Sequence, residues 1–296
     1  MKRTVVLITG SSSGFGRDTA LTLARAGLQV YGTMRDVDGR NRSKAGSLMV
    51  EARAEALPLS VVGLDVTSDS SVAHAVERVA AAAGRIDVLV NNAGVASAGV
   101  SEAFTEAQLS ALFDVNVVGV HRVSRAVLPV MRRQRSGLVI NVGSILGRVT
   151  LPFFGVYGAS KFALEALTET YRYEVSQFGV EFVLLQPSAY PTPMYEKAMV
   201  PEEAQRIKEY GDIAQIPGAM FEHFKEVFSS DYGPRPHDVA EAILGLIALP
   251  AGKRPARVVV GADFGAASVN EHAAPIQSKV LNALGLNHLN QVTNVG

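Results

Sequence analysis

The sequence predicts an α/β protein built on one doubly wound, seven-stranded parallel sheet with helices on both faces. Short β-branched runs alternate with longer helical patterns almost to the end of the 296 residues, as a parallel sheet with crossover helices requires. Runs such as TVVLIT (4–9) and LVINV (138–142) are nearly continuously apolar, which is typical of parallel strands buried on both faces. Right-handed crossovers then open a crevice at the carboxyl ends of the strands.

Each predicted element follows from a local pattern. Strands are expected where β-branched and apolar residues cluster, near residues 4–9, 28–33, 59–64, 86–90, 137–142, 180–186 and 256–260. Helices are expected where apolar residues recur with helical spacing, near 15–26, 38–56, 68–83, 103–134, 156–178 and 237–248. The sheet and its helices are therefore expected to occupy residues 1–263.

Two regions interrupt this alternation. Residues 190–235, rich in Met, Pro, Phe and Glu, are too long for a simple connection, so we expect them to cover a substrate. The tail, 264–296, has weak periodicity, and we expect it to pack on a neighbouring subunit or to stay mobile.

The composition excludes several functional classes. Twenty-eight basic residues balance twenty-eight acidic ones, so no overall charge directs the chain to nucleic acid or to an anionic membrane surface. The absence of cysteine rules out disulfides and thiolate sites and fits a reducing compartment, so we expect a cytoplasmic protein. No segment approaches the length of a membrane span, and the six histidines show no metal-ligand spacing, so no metal is expected.

A glycine-rich turn joins the first predicted strand to the first helix. Its candidate ligand-binding residues are Gly10, Ser12, Ser13, Gly14, Phe15 and Gly16. Glycines let the backbone approach a pyrophosphate, and the N-terminus of the next helix presents free N–H groups and the positive end of its dipole. A turn without a ligand would use similar residues, but its place between first strand and first helix favours a nucleotide.

The same letters match a second pattern. The run 10–14 fits the G-x-S-x-G turn of α/β-hydrolases, with Ser12 as the nucleophile and Asp263 and His272 as the acid and base. This alternative is weakened because a hydrolase turn of this kind normally has other strands ahead of it.

Later turns add candidate cofactor contacts. Arg35 follows the second strand, where a guanidinium can pair with the 2′-phosphate of NADP(H) in a bidentate way. Arg35 could instead be a solvated side chain that forms an ion pair with the adjacent Asp36 and has no role in cofactor binding. We nevertheless favour NADP(H) over NAD(H). The other candidates, which could also be plain turns, are Asp65 and Val66 for the adenine edge and Asn92, Ala93 and Gly94 beside the cofactor.

The chain resembles the classical short-chain dehydrogenase/reductase family over roughly residues 4–261. The resemblance rests on Thr9-Gly10-x-x-x-Gly14-x-Gly16, Asn91-Asn92-Ala93-Gly94, Asn116, Ser144 and Tyr157-x-x-x-Lys161, in this order and at this spacing. Within the family, the stretches YGTMRD and LPFFGVYGASKFALEAL are most similar to the 17β-hydroxysteroid and retinol dehydrogenase branch. The resemblance implies a Rossmann-type NAD(P)-binding domain, carbonyl reductase or alcohol dehydrogenase activity, and a homodimer or homotetramer.

Four residues carry the expected chemistry. Reducing a ketone needs a hydride at carbon and a proton at oxygen, and a free tyrosine, with a pKa of about 10, is a poor partner in proton exchange near neutrality. Lys161, one helical turn after Tyr157, is expected to favour the phenolate and lower that pKa, while Ser144 polarises the carbonyl. Taken singly, each could be structural. The resemblance implies that Tyr157 and Lys161 also bind the cofactor, with Lys161 on the nicotinamide ribose, and that Asn116 links the lysine to solvent through water.

The substrate pocket is expected after Ser144 and within 190–235. Its predicted lining is large and mostly apolar: Leu146, Phe153, Phe154, Tyr190, Met194 and Tyr195. Such a lining favours a bulky hydrophobic ketone or secondary alcohol, although half of these side chains could simply pack the insert. By the resemblance, Pro187 and Thr192 lie beside the nicotinamide, with Pro187-Ser188 in place of the usual Pro-Gly. A nucleotide-sensing protein without catalysis is a third possibility.

Overall fold

The computed structural model describes residues 3–230 and 233–293 and has the predicted doubly wound parallel sheet. Its strands are β1 (Val5–Ile8), β2 (Gln29–Met34), β3 (Leu59–Gly63), β4 (Val88–Asn91), β5 (Gly137–Val142), β6 (Val180–Pro187) and β7 (Arg257–Val260). They are ordered β3-β2-β1-β4-β5-β6-β7, and every neighbouring pair is parallel. The direction of winding reverses between β1 and β4, so the crevice expected of this fold opens at their carboxyl ends.

Helices cover both faces of this sheet. In chain order they are α1 (Gly14–Arg25), α2 (Arg42–Ala54), α3 (Asp69–Ala83), α4 (Glu106–Phe113), α5 (Gly119–Gln134), α6 (Gly155–Val175), α7 (Pro193–Glu196), α8 (Ala204–Glu209), α9 (Ile216–Phe228), α10 (His237–Ala248) and α11 (Ala266–Ala283). Val6 and Ile8 of β1 belong to the apolar core under α1, α2 and α10, whereas Val5 and Leu7 belong to the core under α3 and α5. This explains why β1 is apolar at every position.

The long helix predicted over 103–134 is divided in the structure. Thr105 caps α4 by accepting a hydrogen bond from the backbone N–H of Gln108, and a π-helical turn, Asp114–Val118, separates α4 from α5. The apolar periodicity continues through this turn, so the sequence pattern alone does not reveal it. Asn116 lies in the π-helical turn and is buried, and such turns are frequent at functional sites.

The tail, expected to pack on a neighbouring subunit or to stay mobile, contains a helix that contacts its own chain, and packing on a neighbouring subunit stays a prediction. Residues 266–283 form α11, which docks on its own chain: Asn270 Nδ2 donates to Gln186 Oε1 at 2.7 Å, and Leu281 is buried. Farther on, Thr293 N donates to the Ser176 carbonyl at 3.2 Å. The helix buries only Ala266 and Leu281 fully, which accounts for its weak apolar periodicity, and 294–296 lie outside the described residues.

Between β6 and α10, the segment predicted to cover the substrate contains α7, α8 and α9 in its described part. None of these helices has a fully buried side chain. In the part of the chain that the structure describes, no helix has the length and apolar character needed to cross a membrane.

Candidate active site

The glycine-rich turn after β1 is shaped by close backbone contacts. Gly10 and Gly14 have φ angles of +73° and +54°, in the left-handed region that favours glycine. A Cβ on Gly16 would overlap the Asn92 amide nitrogen and the Gly10 carbonyl. Asn92 Nδ2 donates to the carbonyls of Thr9 (2.9 Å) and Gly10 (3.1 Å), so it ties the turn after β4 to the turn after β1.

A cavity of about 480 Å³ lies at the carboxyl ends of β1 to β4. The predicted cofactor residues that line it are Gly10, Ser12, Ser13, Gly14, Phe15, Arg35, Asp65, Val66, Asn92, Ala93, Gly94 and Thr192. Gly16 packs behind the turn instead, and Pro187, Tyr157 and Lys161 line an adjoining cavity. An elongated ligand that contacts all of these residues must extend through both cavities.

Four cations line the first cavity at its β2 end. They are Arg35, Arg40, Lys44 and Lys197, and none forms an ion pair with a carboxylate among the described residues. Asp36, the alternative partner for Arg35, accepts from the Arg40 backbone N–H at 2.7 Å. Burial lowers the pKa of Lys44, and the charges of Lys197 and Arg40 lower it further. These four cations, none of them in an ion pair among the described residues, form a site suited to an anionic group.

Sequence reasoning found only one of these cations. Arg40 and Lys44 follow β2 within a short basic stretch of the sequence, and this stretch could have predicted an anion-binding site. Lys197 follows α7, more than 150 positions farther along the chain, and no local pattern links it to β2.

The adjoining cavity has a volume of about 370 Å³ and is mainly apolar. Of its predicted lining residues, the structure places Leu146, Phe154, Tyr190, Met194 and Tyr195 there. Phe153 is not part of the lining: its φ is +68°, and its carbonyl accepts from Gly99 N at 2.8 Å. The left-handed backbone at Phe153 makes the two consecutive phenylalanines diverge, which a run of letters cannot show. Phe264, from the tail, also lines the cavity and was not predicted.

Ser144, Tyr157 and Lys161 meet in the wall of this cavity. Ser144 lies just after β5, and its Oγ accepts from the backbone N–H of Leu146 at 3.1 Å. Tyr157 and Lys161 are one turn apart near the start of α6, and both are buried. Lys161 Nζ donates to the Val142 carbonyl at 3.0 Å and lies 5.5 Å from the centroid of the Tyr157 ring.

Burial shifts the pKa values of both Tyr157 and Lys161. Burial raises the pKa of the Tyr157 phenol to about 12, and the Ser144 hydroxyl acts in the opposite direction. Burial also lowers the pKa of the Lys161 ammonium to about 8. Burial of the phenol sets the direction of this shift, and Lys161 is not among its causes, so the expected lowering of the Tyr157 pKa by the lysine charge stays a prediction.

Asn116 lies behind Gly94 and does not hydrogen-bond to Lys161. Its amide exchanges two hydrogen bonds of 2.9 Å with the backbone of Val95, and its Nδ2 donates to Ser160 Oγ at 3.1 Å. A Cβ on Gly94 would lie 3.4 Å from Asn116 Oδ1 and 4.0 Å from Lys161 Nζ. Asn116 thus braces the turn after β4 close to the lysine, and its link to solvent through water stays a prediction.

The residues of the hydrolase alternative do not come together. Ser12 lines the first cavity, whereas the ring of His272 donates to the Ser268 carbonyl at 2.7 Å. Asp263 accepts a 3.3 Å hydrogen bond from the backbone N–H of Ala267 at the start of α11. No hydrogen bond joins Ser12 to Asp263 or His272 within 3–230 and 233–293. A nucleophile, base and acid are therefore not assembled on Ser12.

The fold and its site are typical of dinucleotide-binding α/β proteins: a crevice lies at a strand-order reversal, and a glycine turn precedes a helix N-terminus. Comparison with known proteins places the chain more narrowly. It belongs to the short chain dehydrogenase family, whose model matches residues 4–203.

Relatives agree with the resemblance to the steroid and retinol branch. The chain is 41% identical over 259 residues to 17-beta-hydroxysteroid dehydrogenase type 1 of Homo sapiens, covering 84% of this chain and 76% of the relative. It is 36% identical over 257 residues to retinol dehydrogenase 8 of Bos taurus, covering 82% and 77%. A 3-ketodihydrosphingosine reductase of Bacteroides thetaiotaomicron is 38% identical over 212 residues, covering 72% and 73%.

Solved structures with the same fold carry nicotinamide nucleotides of both kinds. A short chain dehydrogenase/reductase from Burkholderia phymatum in complex with NAD has a TM-score of 0.75 and 26% identity, covering 100% of this chain and 98% of its own. An alcohol dehydrogenase from Thermococcus sibiricus complexed with 5-hydroxy-NADP has a TM-score of 0.69 and 28% identity, covering 88% and 97%. A nicotinamide cofactor is therefore supported, and the choice between NAD and NADP depends on this chain's own residues.

Proposed function

We propose that the protein is an NADP(H)-dependent oxidoreductase that interconverts a bulky hydrophobic ketone or aldehyde and the corresponding alcohol. One observation carries the proposal: Ser144, Tyr157 and Lys161 line an apolar cavity that shares a wall with the predicted cofactor cavity. Thr192 and Met194 line both. A substrate in the apolar cavity would then contact the phenol and the serine together, beside the nicotinamide end of the cofactor.

In this proposal the bound nicotinamide supplies or accepts the hydride, and the chain's own residues handle the proton. Because the pKa of Tyr157 is about 12, its phenol is protonated at neutral pH and can donate to the carbonyl oxygen during reduction. Ser144 Oγ donates a hydrogen bond to the same oxygen and stabilises the negative charge that develops there. Lys161, as an ammonium, then stabilises the Tyr157 phenolate until the phenol regains a proton.

The preference for NADP(H) rests on the cations at the β2 end of the first cavity. Arg35 and Lys44 come from the β2 side, and Lys197 follows α7. Like charges gather at a cost unless an anion lies between them, and a 2′-phosphate provides one. NAD(H) has an uncharged 2′-hydroxyl in place of this phosphate and so cannot offset these charges.

The apolar cavity favours a large hydrophobic substrate. Phe154, Tyr195 and Phe224 line the cavity together. The ring centroid of Phe224 lies 6.5 Å from that of Phe154 and 6.2 Å from that of Tyr195. Tyr195 follows β6 and Phe224 lies on α9, so we propose that residues 190–235 cover the substrate. The names of the steroid and retinol dehydrogenases among the relatives point to substrates of the same size and polarity.

We also propose a homodimer or homotetramer that forms through the two central helices, α5 and α6, and their neighbour α4. Exposed apolar side chains occur along them, among them Leu109, Val118 and Phe162. Light scattering on the purified protein tests this, and a monomer at micromolar concentration would contradict it.

The central experiment measures the oxidation of NADPH and NADH in the presence of a panel of aromatic and alicyclic ketones, with the wild type and with Tyr157→Phe. We expect the substitution to lower kcat by at least roughly 100-fold, because a positioned general acid typically contributes this much. Tyr210→Phe is the matched control, since the Tyr210 hydroxyl lies outside both cavities and donates to Glu102 at an exposed position. If Tyr157→Phe retains most of the activity, the proposed mechanism is wrong.

Cofactor choice is tested in parallel. Arg35→Ala and Lys197→Ala should raise the KM for NADPH far more than that for NADH, whereas Lys208→Ala, on the exposed surface of α8, should change neither. Two further outcomes identify the alternatives. If the wild type binds NADPH but reduces no carbonyl, the protein is a nucleotide sensor. If the wild type hydrolyses esters without a nucleotide and Ser12→Ala loses this activity, the protein is a hydrolase.

A further inference from the structure

A buried carboxylate lies one helical turn beyond Lys161 and joins four parts of the fold. Glu165, on α6, is only 4% exposed. Its Oε2 lies 3.0 Å from a terminal nitrogen of Arg148 and 2.8 Å from Nε of Arg257. Its Oε1 accepts a hydrogen bond from Gln186 of β6. None of these four side chains lines either cavity, so they do not contact a cofactor or substrate directly.

The Arg148 side of this cluster leads to Ser144. A short turn, 145–147, follows Ser144, and Gly147 N donates to the Ser144 carbonyl at 3.0 Å. Gly147 lies directly against α6: a Cβ added there would be 3.0 Å from both Glu165 Cγ and the Lys161 carbonyl. The ion pair of Arg148 with Glu165 therefore holds this turn against the part of α6 that bears Lys161.

The Arg257 side of the cluster leads away from the cavities. Arg257, on β7, also pairs with Glu169, which accepts from the Tyr173 hydroxyl at 2.8 Å. Gln186 in turn accepts from Asn270 of α11 at 2.7 Å. These contacts join α6 to β6, β7 and the tail, and none of them reaches the turn after Ser144.

The geometry points to Arg148 as a positioning residue for Ser144. Its ion pair with Glu165 holds the turn after β5 on α6 and so sets the separation between the Ser144 hydroxyl and the Tyr157 phenol. Arg257 shares the same carboxylate but serves stability alone. The expected effect on the rate of hydride transfer rests on the proposed function, whereas the expected effect on the position of Ser144 does not.

Two variants remove one guanidinium each from the same carboxylate. Arg148→Met should lower the single-turnover rate of hydride transfer about 10-fold, since small displacements of reacting groups are costly, with little change in the KM for ketone or the Kd for NADPH. Arg257→Met leaves two carboxylates short of a partner, so it should lower Tm at least as much, yet keep the rate within about twofold of wild type. Arg148→Lys, which keeps one cation near Glu165, should recover most of the rate.

Crystal structures of both variants provide a readout that needs no turnover. We expect the Ser144–Tyr157 separation to change in Arg148→Met and to stay the same in Arg257→Met. Equal rate losses in the two variants, or an unmoved Ser144 in Arg148→Met, would overturn the inference. A wild type without carbonyl reduction refutes the proposed function instead, and the crystal structures still decide the role of Arg148. If Arg148→Met does not fold, Arg148→Gln and Arg257→Gln, which also remove one positive charge each, are compared by the same criteria.

Discussion

Replacing Lys161 with methionine should stabilise the cofactor-free protein at neutral pH, although it removes a residue that we propose for the reaction. Burial lowers the pKa of Lys161 from 10.5 to about 8, so the folded state resists the charged form. One pKa unit corresponds to about 1.4 kcal/mol, and keeping this ammonium charged at pH 7 therefore costs roughly 3 kcal/mol. Methionine fills a similar volume without the charge.

Part of this gain is offset. Lys161 Nζ donates to the Val142 carbonyl at 3.0 Å, and losing that hydrogen bond costs about 1 kcal/mol. The net gain is about 2 kcal/mol. With an unfolding entropy of about 2 cal/mol/K per residue over the whole chain, Tm should rise by about 3 °C.

The pH dependence gives the sharper test. Between pH 8 and 10.5 the unfolded chain binds more protons at Lys161 than the folded one, so wild-type stability rises with pH over this range. The stability difference between Lys161→Met and wild type should thus be greatest below pH 8 and should narrow as pH rises. Chemical denaturation between about pH 6 and pH 9.5 measures it, below the range in which Tyr157 titrates. Lys279→Met, on the exposed surface of α11, is the control, and a constant or absent difference would refute the reasoning.

Three further substitutions test the turn, the fold and the pocket. Gly16→Ala should cost about 1–3 kcal/mol of stability and weaken NADPH binding in calorimetry, because its Cβ overlaps Asn92. Glu181→Gln leaves the partly buried Arg254 without its carboxylate, so urea denaturation should show a loss of up to about 3 kcal/mol while kcat at 25 °C is unchanged. Phe224→Ala should lower kcat/KM about 10-fold for a bulky ketone but little for a small one. An equal loss for both ketones would show that Phe224 does not contact the substrate.

The sheet was predictable because its signals are local. Each strand is a short apolar run. The turn after β1 requires glycine because a Cβ on Gly16 would overlap the Gly10 carbonyl and the Asn92 amide. The spacing of Tyr157 and Lys161 likewise places both on one face of α6, whatever the rest of the fold does. The π-helical turn at Asn116 escaped prediction because the apolar pattern passes through it unchanged.

Other features depend on contacts between distant parts of the chain. Lys197 joins the cations near Arg35 only because the segment after β6 returns to the cofactor cavity. Glu165 meets Arg257 across 92 positions, and the tail reaches β6 through Asn270. The periodicity of the sequence does not predict these contacts, because they depend on how the crossovers place elements that are far apart in sequence.

The sequence by itself determined the seven strands and the helices that cross between them, the glycine-rich turn after β1 and the presence of a tyrosine and a lysine on one helical face. Only the tertiary structure decided the pKa values and the neighbours of those residues. Burial raises the pKa of Tyr157 and lowers that of Lys161, and burial is a property of the packed molecule rather than of a motif. Residue type and spacing are local, whereas desolvation and ion pairing require that distant segments meet.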